Sequence, residues 1–455
     1  MSFTVSKFPS DQDGCGWYNI LPAPSPPREL DSDIGADWVI VGAGFAGLSA
    51  AHRIRQQSPE DRVVVIDAQR VGWGAAGRNS GFMIDLPHNV QSDDYSGEGT
   101  RDQQEMVMNR FAIDYARSMI NEFGLQEHVS DIGKINAATS HSGVSALESY
   151  SSHLNRLGEP FTKLDRDALK DITGTDYYHG GIHTPGCLLF QPAAYIRGVA
   201  EGLLPGIELY ENSPVIKIET ENANDTSYPS TRRTKKVVTE NGSVTAKNII
   251  LTVNGHLESF GIYQKRFMHI FLYGSMTREL TASEQQTLGG HAEWGITPAN
   301  PLGSTVRKMK QGRIVVRNHI TYNPQRASSD AQLSTAGEKH DLAFQRRFPM
   351  LKDVEMEHRW SGHLCLSLNS VPVFGEIENG IFAACCQNGL GAVKGTLNGI
   401  LIADYALGIK DEKTQSMIED AMACKAPKKL YPEPFMSVGA KSRLWWGQIR
   451  AGRDL

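Results

Sequence analysis

The chain has 455 residues, 46 Lys and Arg against 51 Asp and Glu, a net charge of −5, and 40 % hydrophobic residues. That length suits two or three domains. The acidic balance gives nucleic acid no general reason to bind, and no apolar run approaches the roughly 18 residues of a membrane span.

Residues 1–35 read as a surface leader. Pro22, Pro24, Pro26 and Pro27 forbid helix and favour extended backbone, with Trp17 and Tyr18 as anchors to the body. The start is polar and lacks the charged head and apolar core of a signal peptide, so a cytoplasmic protein is expected. Residues 37–51, DWVIVGAGFAGLSAA, then read as strand, glycine turn and helix. Gly42, Gly44 and Gly47 have the G-x-G-x-x-G spacing. The first allows the turn, the second lets backbone approach a pyrophosphate, and the third lets helix pack on strand. Ala43, Phe45 and Ala46 complete the turn, whose helix N-terminus offers free N–H groups to phosphate. A second strand, RVVVID, ends on Asp67 and Ala68, twenty residues beyond Gly47. An acid there accepts from a ribose 2′-hydroxyl and repels a 2′-phosphate, which selects NAD or FAD over NADP.

Residues 71–81, VGWGAAGRNSG, form a second glycine-rich stretch. Gly74, Ala75, Ala76, Arg78, Asn79 and Ser80 suit a loop pressed against a flat ligand, because large side chains would hold the backbone away. A helix is expected over residues 105–123, a strand over 133–138 and a helix over 144–157. His179 and His183, the one H-x-x-x-H pair, enclose Gly180-Gly181 and read as a loop without metal. The six cysteines have no C-x-x-C spacing, which argues against a zinc ribbon, a redox dithiol or a disulfide framework.

Downstream, a helix over 192–203 and a strand over 214–219 precede a polar hairpin extension at 220–235. A hairpin over 236–244 turns at Asn241-Gly242. The strand over 248–253 runs through Thr252 into Asn254-Gly255, as at a nucleotide crevice. Residues 266–277 and 305–318 alternate as strands, and a helix ends before Pro349. Residues 380–404 repeat strand, glycine turn and helix, with Asn388, Gly389, Leu390 and Gly391 at the turn. A second helix N-terminus aimed at a ligand suits the charge that grows on a reduced flavin. After residue 410 the chain becomes charged and closes with Trp445-Trp446 among basic residues. A tail packed back on the body is the first reading; contact with a membrane surface or a partner subunit is the second.

These pieces together resemble the D-amino-acid-oxidase superfamily of FAD enzymes over about residues 36–408. The features that carry the resemblance are GAGFAG, the closing Asp67, GWGAAGRNSG, TVNG at 252–255 and NGLGAVKGT at 388–396. The resemblance is strongest to the bacterial amine oxidase and dehydrogenase branch, which includes γ-glutamylputrescine oxidase, glycine oxidase and sarcosine oxidase. Ala76 and Ser80 depart from that branch's G-x-G-A-S-G-R-N-G-G. The fold it implies is α/β (α+β): a Rossmann-like FAD-binding domain interleaved with a substrate domain on a mixed, largely antiparallel sheet. The corresponding division gives residues 36–95, 190–262 and 356–410 to the FAD domain. Residues 96–189 and 263–355 form the substrate domain, and 411–455 a tail.

The resemblance implies oxidation of a C–N bond by hydride transfer to flavin N5, giving an imine that hydrolyses. The substrate would be a small amine or amino acid, anionic or not, with O₂ or another electron acceptor. It also implies that the backbone of Val215 meets the adenine, that Arg307 faces a substrate carboxylate, and that Lys394 lies one residue from a carboxylate-binding lysine of sarcosine oxidases. Arg313 and Arg317 rival Arg307. Tyr273 and Trp360 are candidates for the pocket wall, Trp360 on the cofactor side, and His88 for a residue facing the flavin. Neither a Cys nor a His matches the positions used by covalent relatives, so non-covalent FAD is expected. Two other readings remain at this stage: an NAD-linked dehydrogenase, which leaves the second and third glycine turns unexplained, and a flavin-bearing subunit of a larger dehydrogenase.

Overall fold

The computed structural model describes residues 2–87, 99–220 and 234–455, without side chains at 99 and 100. The glycine-turn strand, Asp33–Val41, sits at the centre of a nine-stranded sheet. It runs parallel to Val63–Ile66 on one side and to Ser243–Leu251 on the other. Glu208–Tyr210 and Ile381–Cys385 extend the parallel core. These strands are apolar on both faces, as parallel strands covered on both sides must be. Trp38, Ile40, Val63 and Val65 point into a layer of helices. Val39, Val41, Val64 and Ile66 point the other way, towards Leu257, Phe260 and Phe267.

The helix layer contains the first-turn helix Phe45–Gln57, the helix Pro192–Leu203 and the late helix Gly391–Leu407. The first and last cross where side chains are smallest. A Cβ added at Gly399 would overlap the Ala46 carbonyl, so only glycine permits that approach.

The second sheet has eight strands, in the order Met356–Ser367, Phe267–Thr277, Ile314–Tyr322, Thr305–Lys308, Trp294–Pro298, Lys134–Ala138, Gly180–Thr184 and Thr162–Leu164. Only Trp294–Pro298 and Lys134–Ala138 pair in parallel. The sheet is therefore mixed and largely antiparallel, and the interleaved α/β expectation holds. One face packs Ile296, Val306, Ile314 and Val316 against Ala343 and Phe344 of the helix Asp330–Arg347. A small sheet of Phe82–Met83, Leu188–Phe190 and Val129–Ser130 is separate from both.

Several local expectations are corrected. Residues 305–318 form two antiparallel strands, because the chain turns at Met309–Arg313. The strand Met356–Ser367 pairs along the whole of Phe267–Thr277, so it belongs to the second sheet and not to the nucleotide unit. The helix Gly99–Glu122, assigned by sequence to the substrate part, buries Ala112, Ile113, Ala116 and Met119 in the helix layer of the first. His183 lies in the strand Gly180–Thr184, not in a loop.

The leader is not superficial either. Ser2–Thr4 adds an antiparallel strand beside Lys217–Thr220, and Trp17 is fully buried edge-on to Trp360. The expected polar extension falls mostly on residues 221–233, outside the described residues, as does His88. The tail packs back as first read: the C-terminal helix, Phe435–Ala451, lays Met436, Ala440 and Leu444 on Ile270, Leu272, Ile320 and Leu364 of the second sheet.

Candidate functional site

Between the two sheets lies a cavity of about 910 Å³, the size class of small-molecule and cofactor sites. Two helix N-termini reach it. Gly42, Ala43, Gly44, Phe45 and Ala46 line it at the first turn, and Asn388, Gly389, Leu390 and Gly391 at the late turn. Free N–H groups and the positive ends of two helix dipoles thus converge on one space, the arrangement that holds anionic groups.

The first turn is fixed from behind. The Thr252 hydroxyl lies 2.9 Å from the carbonyl oxygens of both Val41 and Gly42. Gly47 does not line the cavity. It sits where helix meets strand, and a Cβ there would overlap the Gly42 carbonyl oxygen. At the same end, Asp67 accepts from the Ala43 amide at 2.7 Å and the Gln69 amide at 2.9 Å. Burial pushes its carboxyl up to about 6 against those two bonds. Ala68 and Val215 line the wall beside it.

The late turn is tied to the first through Asn254, whose side-chain oxygen accepts from the Cys386 and Gln387 amides at 3.1 and 3.3 Å. Asn388 reaches across to the Ser367 amide at 2.8 Å. Gly255 stands behind the wall; a Cβ there would lie 3.0 Å from Cys365 and His363.

The second glycine loop forms the flat part of the cavity, lined by Gly74, Ala75, Ala76, Arg78, Asn79 and Ser80. Its Arg78 is buried, and the guanidinium is taken up by the carbonyls of Trp73, Ser361 and Gln12. The indole of Trp360, which also lines the cavity, donates back to the Arg78 carbonyl at 3.0 Å. Arg78 therefore clamps loop, leader and second sheet together. Asn79 stiffens the loop by bonding the Ala76 carbonyl and the Gly81 amide.

These residues fit an FAD-sized group. The cavity lining combines an acid, two helix N-termini and a flat glycine-alanine loop, with Gly44 of the first turn beside Ala76 of the loop. A Cβ at Gly391 would meet nothing within 4 Å, so the late turn faces open space.

Beyond the second loop the wall changes character. Arg317 lines the cavity, with Nε 3.3 Å from the Ser80 hydroxyl and Nη2 2.7 Å from that of Thr305. Around it stand Ile270, Leu272, Ile320 and Leu364, closed over by Met436, Ala440 and Leu444 of the C-terminal helix.

Three of the residues expected at the reacting end are placed elsewhere or turned away. Arg307 is on the same sheet face as Arg317, but the end of the second loop and Trp17 lie over it. Its guanidinium is buried, bonded to the Gly81 and Phe190 carbonyls, paired with Glu293 and stacked 5.4 Å over Trp17. Lys394 points out of the cavity and pairs with Glu105 at 2.8 Å. Tyr273 lines the wall, but its hydroxyl is engaged by Thr321 and Ser328 at 2.8 and 3.0 Å.

The reading of the sequence missed a polar chain in the wall. His363 Nε2 lies 3.0 Å from His269 Nδ1, and His269 Nε2 lies 3.0 Å from Glu258. Burial pulls Glu258 up, but the bonds from His269 and the Arg266 and Phe267 amides outweigh it and hold the carboxyl low. Burial pulls the His363 imidazole well below its usual range, and brings His256 beside it down to about 3. Sequence spacing gave no signal for these three residues: the pairing of Phe267–Thr277 with Met356–Ser367 brings His269 and His363 together, and Glu258 reaches His269 from the turn Asn254–Phe260.

Known proteins show the same organisation. The model of the DAO family, described as FAD dependent oxidoreductase, matches residues 37–405. The chain is 26 % identical over 400 residues to a probable oxidoreductase, OrdL, of Haemophilus influenzae, covering 84 % of this chain and 85 % of that protein. It is 26 % identical over 398 residues to the gamma-glutamylputrescine oxidoreductase of Escherichia coli, covering 83 % and 85 %. Its fold superposes on the crystal structure of glycine oxidase from Geobacillus kaustophilus with a TM-score of 0.66 at 17 % identity, over 83 % of this chain and 96 % of that one. The chain belongs to the DAO family of FAD-dependent oxidoreductases. The cofactor of that family is FAD, which sets aside the NAD-linked reading of the first glycine turn.

Proposed function

Taking family membership as the premise, we propose that the protein oxidises the C–N bond of a small amine or amino acid that carries an anionic group, giving an imine that hydrolyses to a carbonyl compound and a smaller amine or ammonia. The observation that carries this reading is Arg317, set beside Ser80 of the flat loop and next to the apolar wall of Ile270, Leu272, Ile320 and Leu364. When bound, FAD supplies the two-electron acceptor for this oxidation.

The protein's own residues bind, orient and desolvate. The N-terminus of the first-turn helix would receive the pyrophosphate, Asp67 the ribose hydroxyls, and the late helix N-terminus the negative charge that a reduced flavin carries. Thr305 and Ser80 hold the Arg317 guanidinium in place, so its fork meets a carboxylate or sulfonate without first becoming ordered. Ile270, Leu272, Ile320 and Leu364 exclude water, which favours the neutral form of a bound amine over its ammonium. A neutral amine is the form whose adjacent carbon gives up hydride.

FAD is held without a covalent bond. The one thiol in the wall, Cys365, donates to Asn254 at 3.2 Å, and burial raises its pKa well above the usual range, so it is no nucleophile. Relatives whose names specify gamma-glutamylputrescine and glycine as substrates support the amine class. The test is anaerobic addition of a panel of carboxylated and uncharged amines to the purified protein. Loss of the flavin absorbance with a carboxylated amine, and recovery of the matching aldehyde or keto acid, supports the reading. Bleaching by a hydroxy acid alone, with no response to any amine, contradicts it.

A further inference from the structure

We propose that the outer face of the C-terminal helix seats the protein on an anionic membrane surface, as a peripheral and not a spanning element. The helix Phe435–Ala451 has 17 residues, a length of about 25 Å. Its inner face is occupied by the second sheet through Met436, Ala440 and Leu444. Its outer face is largely apolar, with Ser442 the polar residue inside the stripe. Phe435, Val438, Trp445, Trp446 and Ile449 are exposed, from 52 % at Ile449 to 74 % at Phe435. At 100° per residue these five fall within an arc of about 100°. Lys441 lies about 40° beyond one edge of the arc, and Arg450 and Arg443 lie about 40° and about 60° beyond the other. All three are exposed.

An apolar stripe with two tryptophans and a cation along each edge is the pattern of a helix lying in the headgroup plane, its apolar side in the acyl boundary. Charge supplies the second argument. Residues 425–455 hold seven Lys and Arg against two acids, Glu433 and Asp454, a net charge of +5 in a chain whose total is −5. One of those acids, Asp454, is buried and bonded to Thr139, so it does not offset the outer surface. A positive tail on a negative body fits anionic headgroups, with roughly 1 kcal/mol from each basic residue near the surface.

A second copy of the chain fits less well. A two-fold contact through this stripe brings identical cationic edges together. No helix among the described residues is long and apolar enough to cross a membrane, so the contact would be superficial. Phe435, Trp446, Arg443 and Arg450 also line the cavity. Docking would therefore set its mouth at headgroup level.

The test is co-sedimentation of the flavin-loaded, full-length protein with vesicles of phosphatidylcholine alone and with about one-third phosphatidylglycerol. Wild type is expected to pellet with the anionic vesicles, to release as salt rises, and to stay soluble with the neutral ones. The variant Val438→Ser/Trp445→Ser/Ile449→Ser changes only exposed residues that do not line the cavity. It is expected to lose at least tenfold in vesicle affinity while keeping its flavin absorbance and far-ultraviolet circular dichroism. Failure of wild type to pellet with anionic vesicles overturns the proposal, as does equal binding by wild type and variant. Light scattering provides the remaining arm: a wild-type dimer that the triple variant converts to monomer assigns the stripe to a second copy and also overturns it.

Discussion

At its Asp67 end the cavity is walled mainly by backbone, and at its Arg317 end mainly by side chains. The first end takes Gly42 and Gly44 from a turn that follows a buried strand; Gly389 and Gly391 come from a second such turn, beside Leu366 of the second sheet. The second takes Ser80, Ile270, Thr305, Arg317, Leu364 and Leu444 from six separate stretches, the first and last 364 positions apart. Backbone that must accept a pyrophosphate requires glycines at fixed spacing, so the chemistry is written locally. A side-chain wall requires only that each strand present one residue in the right place, and many sequences do that.

Substitutions separate the two ends, and a third, purely structural set of contacts, by what they change. The largest effect is expected at Arg307, which serves neither end. Arg307→Ala removes the buried guanidinium from the Gly81 and Phe190 carbonyls and from Glu293, leaving Glu293 with Ser130 and Lys310 and the Gly81 carbonyl with the Phe190 amide. Loss of about 3–5 kcal/mol of stability is expected, read as a lowered denaturant midpoint with substrate preference unchanged. A selective loss of affinity for anionic substrates in a fully stable protein would restore Arg307 to the site.

Next comes Gly47→Ala at the backbone end. The new methyl collides with the Gly42 carbonyl, and a cost of about 3 kcal/mol is expected. It should appear as protein purified with little bound FAD and weak reconstitution. Full flavin occupancy would mean that the turn adapts. At the side-chain end, Arg317→Ala should leave flavin content intact. It should lower kcat/KM for a carboxylated amine by about 1.5–3 kcal/mol, roughly 10- to 100-fold.

A smaller effect is set by pH. Burial pushes the Asp67 carboxyl up to about 6, above its ordinary value of 3.8. Protonation therefore stabilises the flavin-free fold; that contribution is full below about pH 4 and is lost as pH rises through about 6. Ribose hydroxyls donate to the ionised form, so FAD affinity should move the other way and weaken as pH falls below about 6, by at most tenfold per unit. Asp67→Asn should flatten that dependence, and a profile unchanged by the substitution would detach Asp67 from the ribose. The smallest effect is expected for Lys394→Ala. The pair with Glu105 is partly exposed, so less than about 1 kcal/mol of stability and no change in kcat are expected. A large fall in kcat would mean that the lysine reaches the chemistry.

The same contrast explains what the sequence made legible. The helix over 192–203 and the glycine-turn unit were readable from periodicity and spacing, because short-range packing decides them. Arg307 was readable only as a strand residue on the right face. Its distance from Arg317 along that face, and its covering by Trp17 and Gly81, depend on how the leader and the second loop fold over the sheet. Lys394 shows the limit differently: helical rotation puts Val393 and Gly395 at the cavity and the lysine outside it. The C-terminal helix read as a tail, since nothing local says that its inner face closes a cavity some 120 residues away in sequence.

The most direct measurement is anaerobic rapid mixing of wild type and Arg317→Ala with a matched pair of amines, one carboxylated and one uncharged, followed at the flavin band near ~450 nm. The account predicts that wild type bleaches with the carboxylated amine and that Arg317→Ala does so only at roughly 10- to 100-fold higher concentration, while both proteins respond alike to the uncharged partner. Equal weakening for both amines, or a flavin band that neither amine bleaches, would contradict it.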